Sequence, residues 1–483
     1  MRVGLWESLA VFSCVVLSAC ATQGIQVTGE QNDPTFPAPQ SETIINVSNF
    51  NGASLVTASY NDETGTAKTV LYTNTTRTVL AGASLMAWSN STNSGQTWAY
   101  GGKVTPSEAW PVIWGDPAMT SSFRNQTYVF LSNLAVPASK MPAGGIQCDT
   151  SNLGCFYGVL GGACIARSTD GGQHFSLYQC VTNNNDFYDG GSMVDAGDGE
   201  IFAAYVDVAT SQIDVWRAPD ENSQFQRIAG PFPNLEIYTH ARLRADRGTS
   251  SIYAAAQSSN GVIWINRWSG GHWGNAVPAS QASPIYPLIA LSDRSLRTGP
   301  QFSFDFGATS QNGNDAIRML YTTNYQADRL YIRGSYCPGN LSGGCYDAPE
   351  WGTTPGNLDL TGDQLQPNVR AFAGFFGLPA VWKATYLSRE HAPNGNTVSL
   401  EQGNLVVLPD GVRVLLPFDQ ILNLLVCPDE RGYWGDYNDL QLVGFSQNGA
   451  AQFLSVYTDS SQGCPLREEF TSQDVHVSST EEQ

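Results

Sequence analysis

Eleven side chains stand out for the chemistry their types and settings allow: Trp114, Asp116, Asp189, Tyr238, His240, Arg242, Gln301, Arg370, Trp434, Asp436 and Tyr437. Together they offer carboxylates, two arginines and several aromatic rings to one cavity. Each residue also has a structural use. An Asp before Pro or Tyr at the start of a strand caps a turn, and a Trp in a layered β-protein packs between sheets.

What brings these residues together is a repeat. Trp114-Gly-Asp116-Pro and Trp434-Gly-Asp436-Tyr look like variants of one strand-start motif. Between them come Asp189-Gly-Gly-Ser-Met-Val-Asp195, Tyr238-Thr-His240-Ala-Arg242-Leu, Gly299-Pro-Gln301-Phe-Ser-Phe and Gln366-Pro-Asn-Val-Arg370. Most precede a short apolar run such as Ile201–Tyr205, Ile252–Ala256 or Ile317–Tyr321, the length and composition of a buried strand. With Thr43–Val47 included, strand starts fall near 42, 112, 190, 239, 298, 366 and 434, about 65 residues apart on average. That interval holds four strands with long loops.

Two octets match each other. Ser91-Thr-Asn93-Ser-Gly95-Gln-Thr-Trp98 and Ser168-Thr-Asp170-Gly-Gly172-Gln-His-Phe175 share Ser-x-Asp/Asn-x-Gly-x-x-aromatic, each after a short apolar strand. The Asp or Asn accepts backbone N–H groups inside a turn, Gly supplies a positive φ, and the aromatic packs the returning strand. The octet resembles the Asp-box, or bacterial neuraminidase repeat, of the sialidase superfamily. The resemblance implies an all-β β-propeller of four-stranded blades. Seven strand starts argue for seven blades, the six of the sialidases themselves for six. Ser446-Gln-Asn448-Gly-Ala-Ala-Gln-Phe453 imitates an Asp-box turn outside the frame. No linker interrupts residues 41–483, so one domain is expected. An N-terminal strand should close it against the last unit near Val475-His476-Val477.

In such a fold the eleven residues line a central funnel. The sialidase apparatus, by resemblance, comprises three arginines clamping a carboxylate, a Tyr nucleophile assisted by Glu, and an Asp acid/base. Residues 43–62 lack the Arg that opens the first sialidase blade. Arg242, Arg370, Tyr437 and Glu430 match the remainder by position along the chain alone, and no catalytic role is assigned. Arg242 and Arg370 are expected not to converge, and Tyr437 to pack or bond to backbone beside Asp436. The main reading is a non-catalytic module binding a glycan or an envelope or extracellular protein through the funnel. The alternative is a sialidase-like or other glycoside hydrolase. No G-x-S-x-G, H-E-x-x-H or P-loop motif is present. No cofactor is expected. The acidic stretches 183–189 and 195–200 have the oxygen donors for Ca²⁺, with ordinary surface turns as the rival reading.

Residues 8–19 form an apolar run of signal-peptide length, ending in Leu17-Ser18-Ala19-Cys20. That ending resembles the lipobox of bacterial lipoproteins, whose Cys carries the lipid; cleavage after Ala21 is the rival. The lipoprotein reading makes 1–19 a signal peptide, Cys20 the acylated residue and 20–40 a flexible tether. It implies a lipid-anchored envelope protein, on the outer membrane if the host has one. Eight cysteines remain after Cys14 and Cys20: Cys148, Cys155, Cys164, Cys180, Cys337, Cys345, Cys427 and Cys464. An even number in an exported chain argues for disulfides, and proximity favours 148–155, 164–180, 337–345 and 427–464.

The 483 residues carry 43 acidic and 24 basic side chains, a net charge of −19, and only 14% are charged. No basic stripe exists to neutralise phosphates, which excludes nucleic acid as a partner. With 42% hydrophobic and 11% aromatic residues, 48 Gly and 25 Pro, the chain can bury a large core and turn often.

Overall fold

The computed structural model describes residues 25–27, 40–50, 53–62, 69–72, 76–149, 161–182, 187–237, 241–280, 288–290, 295–297, 302–307, 317–326, 329–347, 364–372, 380–388, 397–407, 413–425, 439–445, 451–459 and 474–482. Their secondary structure is almost entirely strand, in small antiparallel sheets; the one helical turn among them is Ala138–Lys140.

Seven of the sheets carry a meander in which successive strands pair side by side. Their first strands are Gln40–Phe50, Ala118–Ser121, Tyr188–Asp195, Arg242–Asp246, Phe302–Phe306, Gln364–Phe372 and Asp439–Phe445. The expected starts near 42, 190, 239, 298, 366 and 434 fall close to these. The expectation of 112 meets Val112–Ile113, which pairs with the same neighbour, Val129–Val136, as Ala118–Ser121 does. Residues 114–117 break that strand, and Asp116 adopts φ 59° there. The seventh sheet takes its fourth strand from far upstream. Ile25 lies opposite Val477 and Gln26 opposite His476, inside the stretch read as a tether.

The second strands explain the apolar runs. Ile201–Asp207 and Ser251–Gln257 are buried at every position. A strand packed on both faces has no reason to alternate polar and apolar residues. Hydrophobic clusters fill the spaces between successive sheets, as where Phe202, Ala204 and Val215 meet Leu243, Ile252 and Ala254. Alanines at these positions let the layers approach.

The first strands touch in chain order, each against the next, and that of the seventh sheet packs against that of the first. A first strand has one unpaired edge, whose buried backbone groups need partners. Side chains of neighbouring sheets supply many of them. Gly190 N–H donates to Asp116 Oδ2 (3.1 Å), Leu243 N–H to Ser192 Oγ (2.9 Å), and Ile45 N–H to Asp439 Oδ2 (3.3 Å). Val369 N–H donates to Ser303 Oγ (3.3 Å) and Ala371 N–H to Asp305 Oδ2 (2.8 Å). Ser121 Oγ–H donates to Val47 O (2.8 Å). The two remaining junctions are ionic: Arg244 with Asp305 (3.7 Å) and Arg370 with Asp439 (2.6 Å).

The two octets fold alike. Gly95 N–H donates to Ser91 Oγ (2.8 Å) and Thr97 N–H to Asn93 Oδ1 (2.9 Å); Gly172 N–H donates to Ser168 Oγ (2.9 Å) and His174 N–H to Asp170 Oδ1 (3.0 Å). Their glycines press on the preceding sheet. A Cβ on Gly95 would sit 2.5 Å from Leu454 Cδ1 of the seventh sheet, and one on Gly172 would overlap Thr57 of the first. The turn at the corresponding place in the third sheet was not legible in sequence. Asp220 accepts Asn222 N–H (2.8 Å) and Ser223 Oγ–H (2.8 Å), with Phe225 at the spacing that Trp98 and Phe175 keep. The Ser and Gly of the octet are absent there, and only the Asp-to-aromatic spacing survives. Of Ser446–Phe453, residues 446–450 lie outside the described residues.

Disulfides join Cys164 to Cys180 and Cys337 to Cys345, as proximity indicated. Cys20, Cys155, Cys427 and Cys464 lie outside the described residues, as does the side chain of Cys148. Among the described residues no helix is long and apolar enough to cross a membrane.

Candidate functional site

Five of the eleven singled-out residues are described: Trp114, Asp116, Asp189, Arg242 and Arg370. Tyr238, His240, Gln301, Trp434, Asp436 and Tyr437 lie outside the described residues. We call the end at which a first strand begins its leading end, and the other its trailing end.

Trp114 is half-buried. It packs on a cluster containing Val70, Val79 and Ile146, which belong to a small accessory sheet of Val70–Tyr72, Thr76–Val79 and Ile146–Asp149. That sheet is built from insertions between the second and third strands of the first two meanders, so it stands at their leading ends. Asp116 is 9% exposed, its backbone held in the left-handed region before Pro117. Its N–H donates to Asn61 Oδ1 (3.1 Å). Gly190 N–H lies 3.1 Å from Asp116 Oδ2 and 3.0 Å from Asp189 Oδ1, which brings the two carboxylates within about 6 Å of each other. A positive φ recurs at Gly190 (50°) and at Gln366 (48°), which is also followed by Pro. Such a conformation costs a non-glycine residue on the order of 1–3 kcal/mol and gathers where function demands it.

A second group lies farther along the strands. Arg370 is four residues beyond Gln366, about 13 Å at a strand's rise of ~3.3 Å per residue. Its Nη2 donates to Asp439 Oδ1 (2.6 Å), its Nε to Gln441 Oε1 (3.2 Å) and its Nη1 to Val369 O (3.4 Å). The arginine picked out as a ligand group thus also braces the sixth sheet against the seventh. Arg244, Asp305, Asp439 and Gln441 were not singled out from sequence. Nothing in their local pattern marks them, because each gains its meaning from the neighbouring sheet.

Arg242 and Arg370 both bear on the charge of Arg244. The Arg244 guanidinium is pushed down to about 9, by burial foremost and then by the charge of Arg370; Asp305 and Asp439 oppose this, and Arg242 adds to it. Three guanidinium groups and two carboxylates thus act on one another there. A guanidinium under such pressure gains from any anion brought near it. The chemistry on offer is therefore polar recognition on two sides: carboxylates at the leading ends of the second and third sheets, arginines on the fourth and sixth.

Of the two acidic stretches with donors for Ca²⁺, residues 195–200 form a turn, while 183–186 lie outside the described residues. Gly197 N–H donates to Asp195 Oδ1 (2.5 Å), Glu200 N–H to Asp198 Oδ1 (3.1 Å), and Glu200 pairs with Arg217. Among the described residues no three His, Cys, Asp or Glu side chains are grouped to hold a metal ion.

No family model matches the chain, and no curated protein matches it. Among solved structures it is similar to the Hadza microbial sialidase Hz136, at 12% identity and a TM-score of 0.42 over 75% of this chain and 66% of that one. It is similar to the intramolecular trans-sialidase from Ruminococcus gnavus at 11% identity, with a TM-score of 0.45 over 83% of this chain and 98% of that one. It is also similar to the alpha-L-arabinanase of Penicillium chrysogenum, at 9% identity and a TM-score of 0.43 over 94% of this chain and 97% of that one.

Proposed function

We propose that this chain is an exported, lipid-anchored seven-bladed β-propeller that binds a carboxylate-bearing glycan at the leading ends of its first strands. The propeller reading draws on seven successive meanders, first strands that touch in a circuit, and an N-terminal strand completing the seventh sheet. Closing the circuit with a strand from the other end of the chain leaves no sheet edge open between first and last units.

The observation that carries the binding reading is the grouping of Arg242, Arg244 and Arg370 on neighbouring first strands, with Arg244 on Asp305 and Arg370 on Asp439. In this reading Arg242, nearest the leading end, meets the ligand carboxylate, while Asp116 and Asp189 accept sugar hydroxyl groups. Arg370 is held by Asp439 and Gln441 and supplies field more than contact. Long insertions at the leading ends, 63–85 and 137–161 among them, suit this side for recognition, because loops on a rigid scaffold carry function. The protein beginning at Thr22, on an array of neutral and acidic glycans, should retain acidic ones only, and Arg242→Ala should abolish retention.

A second reading, glycoside hydrolysis, is favoured by one feature. Two carboxylates within about 6 Å approach the ~5–5.5 Å spacing of enzymes that retain anomeric configuration. Release of a fluorogenic group from an aryl glycoside, lost in both Asp116→Asn and Asp189→Asn, would select hydrolysis over binding.

A further inference from the structure

Asp116 stands where the chain leaves its own sheet. Trp114 N–H donates to Leu134 O (2.8 Å) and Leu134 N–H to Gly115 O (3.1 Å), and pairing resumes at Ala118 opposite Ser132. Between these points Asp116 takes a φ of 59°, a conformation that a non-glycine residue keeps only where its surroundings impose it. A group from the preceding sheet does so. Asn61, at the leading end of the second strand Ala53–Asp62, accepts the Asp116 N–H on Oδ1 (3.1 Å). Its carboxamide also rests on Gly115: a Cβ there would lie 2.6 Å from Asn61 Oδ1 and 2.8 Å from both Cγ and Nδ2. Such similar distances to the three atoms mean that the carboxamide plane is laid across the glycine, where any side chain would displace it. Gly115 is not itself in the left-handed region, so its small size is what the contact requires.

Held in this way, Asp116 reaches the third sheet, where its Oδ2 accepts Gly190 N–H (3.1 Å) beside Asp189 Oδ1 (3.0 Å from the same donor). We infer that Asn61 is the positioning residue of this carboxylate pair: it fixes the backbone of Asp116 and so sets where the Asp116 carboxylate meets Gly190 and a ligand hydroxyl. The inference rests on the proposed role of Asp116 as an acceptor of sugar hydroxyl groups. Without the Asn61 oxygen, Asp116 can relax to the extended backbone that a residue before proline favours. That change turns its Cα–Cβ bond and carries the carboxylate off Gly190 N–H. Three successive sheets thus share in placing one ligand group, the first through Asn61, the second through Gly115 and Asp116, the third through Gly190.

Calorimetric titration of the full chain in detergent with methyl glucuronoside, a sugar carboxylate, tests this. Asn61→Ala should weaken binding about tenfold, the scale of one hydrogen bond lost. The same change in an Asp116→Ala chain should have no further effect, because Asn61 acts through Asp116. A further loss there, or unchanged affinity in Asn61→Ala alone, would overturn the inference. Gly115→Ala displaces the same carboxamide, so it should weaken binding equally and lower the unfolding midpoint. Adding Asn61→Ala removes the clash and should bring the midpoint back to that of Asn61→Ala, but not the affinity to that of wild type. Recovery of both would show that Asn61 serves stability alone. A crystal structure of Asn61→Ala separates the positioning from the binding reading. If the wild-type chain does not take up the glycoside, that reading fails, and the place of Asp116 decides alone. Oδ2 displaced from Gly190 N–H is expected; a carboxylate still on that donor would overturn the positioning whether or not the glycoside binds.

Discussion

Removing the N-terminal strand should weaken the fold measurably, although it comprises only a few residues. Val27 is 3% exposed and belongs to the cluster of Ile45, Val56, Tyr60 and Leu454 between the seventh and first sheets. Burying a Val side chain contributes roughly 1.5–3 kcal/mol. The pairing of Ile25 and Gln26 with Val477 and His476 adds about two backbone hydrogen bonds at ~1 kcal/mol net each. A chain that begins at residue 40 should therefore lose about 3–5 kcal/mol relative to one that begins at Thr22. An unfolding entropy of ~2.1 cal/mol/K per residue makes that about 3–5 °C for a chain of this length. The bared edge of Asp474–Glu482 should also invite self-association. Scanning fluorimetry with limited proteolysis is the assay, and Val27→Ala in the longer chain should account for about 2 °C of the drop. Equal midpoints within a degree, with no new cleavage in residues 439–482, would refute the closure.

Breaking the Arg370–Asp439 pair, with side chains 12% and 6% exposed, should cost about 3–5 kcal/mol in either Arg370→Ala or Asp439→Ala; denaturant unfolding should show most of that restored by an apolar pair of matched volume. Gly95→Ala and Gly172→Ala should each cost about 2–4 kcal/mol in thermal unfolding, because both residues sit at positive φ and both added methyl groups collide with the preceding sheet. Asp195 is buried, and burial pushes its carboxyl up to about 6 against the partial opposition of Gly197 N–H. The folded state thus disfavours its charge, and its contribution to stability falls as pH rises from about 4 through about 6. Asp195→Asn should remove that slope, gaining on the order of 2–3 kcal/mol relative to wild type at neutral pH, as read from denaturant midpoints across pH.

Most strand starts were legible because turn chemistry recurs beside them, as at Gly190-Gly191 and Gln366-Pro367. The pairings 164–180 and 337–345 were legible because the partners are close in sequence. The interruption of the second sheet's first strand was not, since Trp114–Pro117 reads as a strand start and Asp116 reveals its positive φ only in place. The arginine group was only half legible. Arg242 and Arg370 sit beside recurring motifs, whereas Arg244, Asp305 and Asp439 occupy alternate strand positions whose partners come from the next sheet, 61 to 69 residues away. Pairing at that range follows from how the layers stack, which no short window contains. That an N-terminal strand closes against Val475–Val477 was legible, but its position was not: Ile25-Gln26 is too short to show a period and lies in the stretch read as a tether.

Calorimetric titration of the protein beginning at Thr22 with a sugar carboxylate, beside the same sugar as its methyl ester, tests the central claim most directly. Saturable binding of the acid alone is expected, weakened at least tenfold by Arg242→Ala and by rising salt. Equal affinity for the ester, or binding indifferent to Arg242, would contradict it.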